Sequence, residues 1–284
     1  MLNPDPPACP VAAPERQRSQ GRIHLRVACV DGHDTRILDI GEGGPLRLRL
    51  PRRPKGPCEA VLLNTAGGIA CGDAFRVTIE AEAGADLTLT TTAAEKVYRS
   101  DGPVSRFETR VTLGAGARLA HLPQETILFD RSALARRFEA DLAPDAHLLA
   151  FEAVTFGRTA RNESITRGHL SDTWRIRRDG RLVYADSLRL DGAVSDQLAR
   201  AAIGNGARAM ATMLDVSPAA EGRLDEARAL LDAAGAEGVA AAASAWNGHL
   251  VLRLLGRDPD ALRSVAQRVL TAYRERPLPR VWQS

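Results

Sequence analysis

Apolar and polar residues alternate with a period of two through "FRVTIEAE" (75–82), "RFETRVTLG" (106–114) and "RRFEADLA" (136–143). The alternation places Val77 and Ile79, then Phe107, Val111 and Leu113, then Phe138 and Leu142 on one side of their runs. Runs of this kind, bounded by Gly, Asp and Pro, predict half-buried strands. Each leads into a similar turn and a second strand-like run: "AGADLTLTT" (83–91), "AGARLAHLP" (115–123) and "PDAHLLAFE" (144–152), recurring roughly every thirty residues. Strand pairs stacked at a fixed period predict a mainly β fold of sandwich or short β-solenoid layers, each unit burying its apolar face only against its neighbours.

The pattern changes downstream. "TWRIRRDGRLVYADSLRL" (173–190) predicts a hairpin, with Asp179-Gly180 supplying the positive backbone angles of a two-residue turn. From Met210 the order becomes a strand ("MATMLDV"), a helix over about 221–234, a strand ("GVAAAASAW"), a turn at Asn247-Gly248 and a strand ("HLVLRLLG"). A last helix starts near Asp258-Pro259, an N-cap followed by proline in the first turn, and its apolar stripe is Leu262, Val265, Ala266, Val269 and Leu270. This β-α-β-β-α portion, about 208–276, either stands as a small subdomain or packs its helices on a β body spanning about 21–207.

Composition narrows the class. A 284-residue chain that is 44% apolar can bury a substantial core, and 38 basic against 35 acidic residues, interspersed to a net +3, leave no electrostatic footprint for nucleic acid. Arginine carries nearly all the positive charge, the only lysines being Lys55 and Lys96. Residues 1–20, with Pro4, Pro6, Pro7, Pro10 and Pro14, read as a flexible tail without the apolar stretch of a signal peptide. The longest uncharged run, Gly238–Leu252, is short and broken by Asn247-Gly248-His249, so no membrane span is expected. Cys9, Cys29, Cys58 and Cys71 form no C-x-x-C pair and suit a reducing, cytoplasmic setting.

Several segments carry candidate chemistry. "NTAGGIACGD" (64–73) approaches a phosphate-cradling loop through Gly67 and Gly72, but Asp73 stands where the lysine belongs, and an acid there repels phosphate. The six histidines, His24, His33, His121, His147, His169 and His249, show no i, i+4 pair that would build a tight structural metal site. A cysteine hydrolase built on Cys71 would need a histidine brought close by the fold. In "TTAAEKVYRS" (91–100), Lys96, Tyr98 and Arg99 crowd behind a buried strand; they are either a solvated loop or a docking segment, Tyr and Arg being enriched at interaction hot spots. Asp73, Glu152, Glu163 and Asp186 are ordinary solubilising acids if exposed, and costly unless paired or meeting a cation if they face inward.

Five motifs, "NTAGGIACGD", "TTAAEKVYRS", "LPQETILFD" (122–130), "FGRTARNE" (156–163) and "PLPRVW" (277–282), stand in the order found in the UreD (UreH) family of urease accessory proteins, which the chain resembles over roughly residues 45–284. Two positions depart from the family pattern. Cys71 replaces a glycine, which would strain the turn if a positive backbone angle is required there, and Asn162 replaces a glycine before Glu163.

The resemblance implies a predominantly β stacked fold and a non-enzymatic assembly factor. Such proteins bind the urease apoprotein and, through a UreF-type partner, a GTP-hydrolysing UreG-type partner, and the complex helps install nickel in urease. No cofactor is expected to be held tightly; nickel passes in transit, and GTP belongs to the partner. The family is also thought to contain an internal nickel passage, onto which Asp73, Glu152 and Glu163 map as matching acidic positions and Asp186 as a looser one. Spaced carboxylates and water suit conduction, because nickel would be trapped by a cage of imidazoles and thiolates. Without the resemblance, the alternatives are a cytosolic β-rich module for a small polar ligand or, third, a cysteine-dependent hydrolase.

Overall fold

The computed structural model describes residues 18–32, 34–51 and 57–283. The tail expected over 1–20, apart from its last three residues, and Cys9, His33 and Lys55 lie outside the described residues. In chain order the strands of the N-terminal part are β1 (Gln20–Val30), β2 (Asp34–Gly43), β3 (Leu46–Arg49), β4 (Cys58–Asn64), β5 (Ala74–Ala81) and β6 (Asp86–Thr91). The central part holds β7 (Glu95–Val97), β8 (Ser105–Leu113), β9 (Arg118–Leu122), β10 (Thr126–Leu128), β11 (Ala133–Leu142) and β12 (His147–Phe156). There follow β13 (Gly168–Arg178), β14 (Arg181–Gly192), α1 (Val194–Ala199), β15 (Ala209–Val216), α2 (Leu224–Ala234), β16 (Val239–Trp246), β17 (His249–Gly256) and α3 (Pro259–Arg274).

The strands form two sheets, and from β4 to β13 the chain passes back and forth between them. One runs β14-β13-β11-β8-β5-β1-β2, and the other runs β16-β17-β15-β12-β9-β6-β4-β3 with β10 and β7 added beside β12. Within each sheet the strands of neighbouring turns of chain are parallel: β5, β8, β11 and β13 in the first, β4, β6, β9 and β12 in the second. This is the β-solenoid-like stack that the thirty-residue repeat predicts. Its corners are the Gly-Ala turns, where Gly84 and Gly116 take φ of 70° and 62° and so avoid the left-handed penalty of a side chain.

The register aligns equivalent side chains into rows. Ile23, Val77, Thr109, Phe138 and Trp174 are Cα partners across the first sheet, and Leu87, Leu119 and Leu148 across the second. These rows face each other and make the main core, with Leu25, Ile79, Phe138, Leu87, Leu148 and Ala150 fully enclosed. A second core lies on the far side of the ten-stranded sheet, where α2 and α3 cover Phe151, Met213, Leu252 and Leu254. β15 pairs antiparallel with β12, so the C-terminal strands continue the sheet and their helices pack on its outer face. The expected helix start is observed: the Asp258 carboxylate accepts from Asp260 N at 3.1 Å and Pro259 opens α3. α3 is further anchored where Tyr273 Oη donates to the buried Asp215 at 2.6 Å.

The strands before residue 58 and the short helix α1 were not expected from the pattern. β1 to β3 are edge and near-edge strands, in which polar residues stand on the outer face and the apolar face is interrupted by Gly21, Gly41 and Gly43. The glycines weaken the period-two signal in β2, whereas β1 alternates strictly from Arg22 to Val27 and carries a readable signal.

Phe138 stacks between His121 and Trp174, with ring centroids 5.1 Å from each. Phe138→Ala should cost about 3–5 kcal/mol in urea denaturation, whereas Leu38→Ala, on a half-exposed side chain of β2, should stay within about 0.5 kcal/mol.

Candidate functional site

The five sequence motifs converge on one end of the stack. Ile69 of the first bridges Val97 of the second, with Ile69 N donating to Lys96 O at 2.7 Å and Tyr98 N to Ile69 O at 2.9 Å. β10, from the third motif, pairs with β7 on one side and β12 on the other. Gly157 of the fourth donates to Leu128 O at 2.8 Å, and the Arg158 guanidinium lies 4.5 Å over the Phe129 ring. The last motif closes the back: Trp282 Nε1 donates to Thr90 Oγ1 and Leu122 O, and Gln124 Nε2 donates to Val281 O at 2.9 Å.

Between the sheets at this end lies a cavity of about 280 Å³, lined among others by Glu95, His121, Gln124, Thr126, Arg136 and Glu152. Its floor is charged. Phe75, Phe107, Arg136 and Asp172 are Cα partners in one row of the seven-stranded sheet, so two aromatic positions are followed by two charged ones facing the core. From the opposite sheet β12 turns Glu152, and β9 turns His121, into the same space. Arg136 bridges them, with Nη2 2.7 Å from Glu152 and 2.5 Å from Asp172, while His121 Nε2 lies 3.7 Å from Glu152. His121, Glu152 and Asp172 are buried and Arg136 nearly so, and His121 Nδ1, Arg136 Nε, Glu152 Oε2 and Asp172 Oδ1 make no hydrogen bond of good geometry. A cavity of this size, with charged groups at its floor beneath a mainly apolar wall, has room for ordered water at that floor.

Burial works against the charge on Arg136, but the Asp172 and Glu152 carboxylates outweigh it and hold the guanidinium more firmly protonated. For Glu152 burial is overcome by Arg136 and His121, which hold its carboxyl below the usual range. For Asp172 burial prevails, assisted by the Glu152 charge, and its carboxyl is pushed up. The guanidinium thus favours ionisation of both carboxyls, and only at Asp172 do burial and the neighbouring Glu152 charge outweigh it.

Glu95 stands at the rim. Asn64 Nδ2 donates to both its carboxylate oxygens, at 3.2 and 3.4 Å, but burial dominates and raises its pKa to about 7. A carboxyl that titrates near neutrality therefore adjoins the Arg136 cluster.

Of the four acids singled out in the sequence, only Glu152 is among the residues lining this cavity. Asp73 is buried, and its carboxylate accepts from Ser19 N at 2.7 Å and Ala70 N at 2.8 Å, tying the start of β1 to the turn before β5. Glu163 is engaged by Arg158 through the backbone N and the guanidinium, the closest contact being 2.6 Å. Asp186 lies within β14 and pairs with Arg253 at 2.7 Å. The four acids thus stand in four separate settings. Lys96 and Arg99 are exposed; Tyr98, 38% exposed, donates from Oη to Gly67 O at 2.9 Å and packs edge-on to Phe129. A Cβ on Gly68 would lie 2.4 Å from the Tyr98 ring, so that glycine is required by close approach.

The two departures from the motif pattern are resolved. Cys71 is absent from the described residues with positive φ, so its turn carries no left-handed strain, and its thiol meets Asp101 at 2.9 Å and Ser100 at 3.3 Å. Asn162 takes φ 50° and ψ 29°, the left-handed geometry asparagine tolerates. Cys29, Cys58 and Cys71 are free thiols. Among the described residues no helix is long and apolar enough to cross a membrane, and no three His, Cys, Asp or Glu side chains gather as a metal cage.

His121, Arg136 and Asp172 were not singled out from sequence, although each is in phase with the inward alternation of its strand: His121 with Leu119, Arg136 with Phe138, Asp172 with Trp174. A charged residue in phase with an apolar face was the available signal.

Residues 19–283 match a family model described as UreD urease accessory protein, extending the resemblance N-terminally to include β1 to β3. The chain is 63% identical over 276 residues to urease accessory protein UreD 1 of Methylobacterium radiotolerans, covering 96% of this chain and 95% of that protein. It is 60% identical over 280 residues to urease accessory protein UreD 2 of Methylorubrum populi (97% and 94% covered). It is 43% identical over 267 residues to urease accessory protein UreD of Rhizobium leguminosarum bv. trifolii (94% and 96% covered).

Two stability measurements probe the site. Arg136→Met leaves two buried carboxylates without a counter-charge and should cost about 3–5 kcal/mol. The raised pKa of Glu95 means that its stabilising protonation is complete below the unfolded value near 4.5 and is lost as pH rises through about 7. Glu95→Gln should therefore gain on the wild type as pH rises from 5 to 8, by on the order of 2 kcal/mol. A pH-independent difference in melting temperature would contradict the assignment.

Proposed function

Since the chain belongs to the UreD family of urease accessory proteins, we propose that it acts in urease maturation as a subunit without catalysis of its own, in a cytoplasmic complex with UreF-type and UreG-type partners. It binds the urease apoprotein; GTP is hydrolysed by the UreG-type partner; nickel passes through as cargo. The observation that carries the reading is that three of the five motifs, 64–73, 91–100 and 122–130, line one inter-sheet cavity with Glu152 at its floor, while the other two pack against them from behind.

The chemistry of that floor suits transit. A carboxylate attracts a dication, and the Arg136 guanidinium 2.7 Å away weakens that attraction by competing for the same oxygen. His121 and Glu95 offer further single donors along the cavity wall, none of them a chelating set. In this reading Glu152 is the member of the expected acidic set that meets the cargo. Asp73, Glu163 and Asp186 serve the fold through their own bonds away from the cavity, and Lys96, Tyr98 and Arg99 present the adjoining surface to a partner protein.

Glu152→Gln keeps the side-chain shape and removes the charge. Co-expressed with urease and its accessory proteins, this variant should still co-purify in the accessory complex but lower the nickel content of urease several-fold, as measured by elemental analysis. Full nickel loading with an intact complex would overturn the passage.

A further inference from the structure

The free sheet edges differ in how they are protected. β2 carries Asp34, Arg36, Asp39 and Glu42; β3 carries Arg47 and Arg49; β14 carries Arg181, Asp186, Arg189 and Asp191. Charges on an edge discourage a second strand from adding to it. β16, "VAAAASAW", is also an edge strand, yet it has no charged residue and no proline.

Its open side is set by the turn. Asn247 and Gly248, with φ of 51° and 80°, form a two-residue hairpin turn, which makes Trp246 and His249 a hydrogen-bonded pair. Alternation then directs the N–H and C=O groups of Ala241, Ala243 and Ala245 away from β17. β16 pairs with β17 alone, so these groups have no strand partner among the described residues. On the face opposite α2, Ala240, Ala242, Ser244 and Trp246 are exposed, Trp246 to 51%.

We propose that β16 is a self-association edge, pairing antiparallel with β16 of a second copy of this chain about a two-fold axis at Ala243. A two-fold interface sets each residue near the axis against its own image or a close neighbour, so a charged edge would repel itself; an uncharged one does not. The side-chain sizes are also self-complementary. With Ala243 opposite Ala243, Ala241 meets Ala245 and Trp246 meets Ala240, so the bulky end of each strand lies over the small end of the other. The three outward residues of each strand supply about six inter-chain hydrogen bonds. Because the remaining edges are charged, addition stops at two copies instead of growing into a fibre.

The test uses the full chain in light scattering coupled to size exclusion, over a range of concentrations. The expected result is a dimer, weakened at least ~100-fold by Ala241→Pro, which removes an outward donor without breaking a bond to β17, and likewise by Ala242→Lys, which adds a charge to the exposed face. Circular dichroism should be unchanged in both. A wild-type chain that is monomeric throughout, or a dimer that both variants leave intact, overturns the proposal. A monomer whose co-purification with an accessory partner or urease is lost in Ala242→Lys also overturns it, in favour of a partner strand on this edge.

Discussion

A strand held between two parallel neighbours has no freedom to choose which of its side chains face inward. In this molecule the register of each turn of chain is fixed by the turns on either side, and every second residue is delivered into the space between two sheets. Most of those residues are aliphatic or aromatic and close the core. Where they are Arg136, Asp172, Glu152 and His121, the same constraint forces charge into the interior. The stack cannot slip by one residue to expel them without turning Phe138, Trp174 and Ile176 to solvent.

The charges survive because they are held by one another. Separating a carboxylate from water costs several kcal/mol even after relaxation, and a single guanidinium spanning both sheets offsets this for two of them. The compensation is incomplete, since several polar atoms in the cluster lack a well-formed partner. Incomplete satisfaction beside a cavity distinguishes this cluster from a closed structural salt bridge. Elsewhere in the chain buried or half-buried acids are fully occupied, Asp73 by two backbone amides and Glu163 by Arg158.

The layered fold was legible because its strongest determinants are local and repeated: alternation at Val77, Val111 and Phe138, the Gly-Ala corners, and the cap of α3 at Asp258. Of the N-terminal strands, β2 was blurred by its glycines, whereas β1 alternates cleanly from Arg22 to Val27 and was legible in principle. Glu152 was legible as an acid of interest, but its partners were not, because β11, β12 and β13, although consecutive, belong to alternate sheets, and only the packing of one sheet on the other brings Arg136 and Asp172 to it. The surroundings of Asp73 were not legible, because its carboxylate is engaged by one amide of its own turn, Ala70 N, and by one from the distant Ser19. The cavity became visible only once segments 64–69, 90–96 and 121–126 were assembled in space.

The indole of Trp282 reaches back to Thr90 across 192 positions of chain, and Arg276 reaches Asp86 across 190. A plain solenoid is one-dimensional: each turn touches only the next, and its ends can fray independently. Here the segment after α3 clasps turns laid down far earlier, so loosening one end of the stack releases contacts along much of its length. A clasp of this kind favours cooperative melting over fraying from one end, and it adds long-range closure to the folding of a repetitive chain.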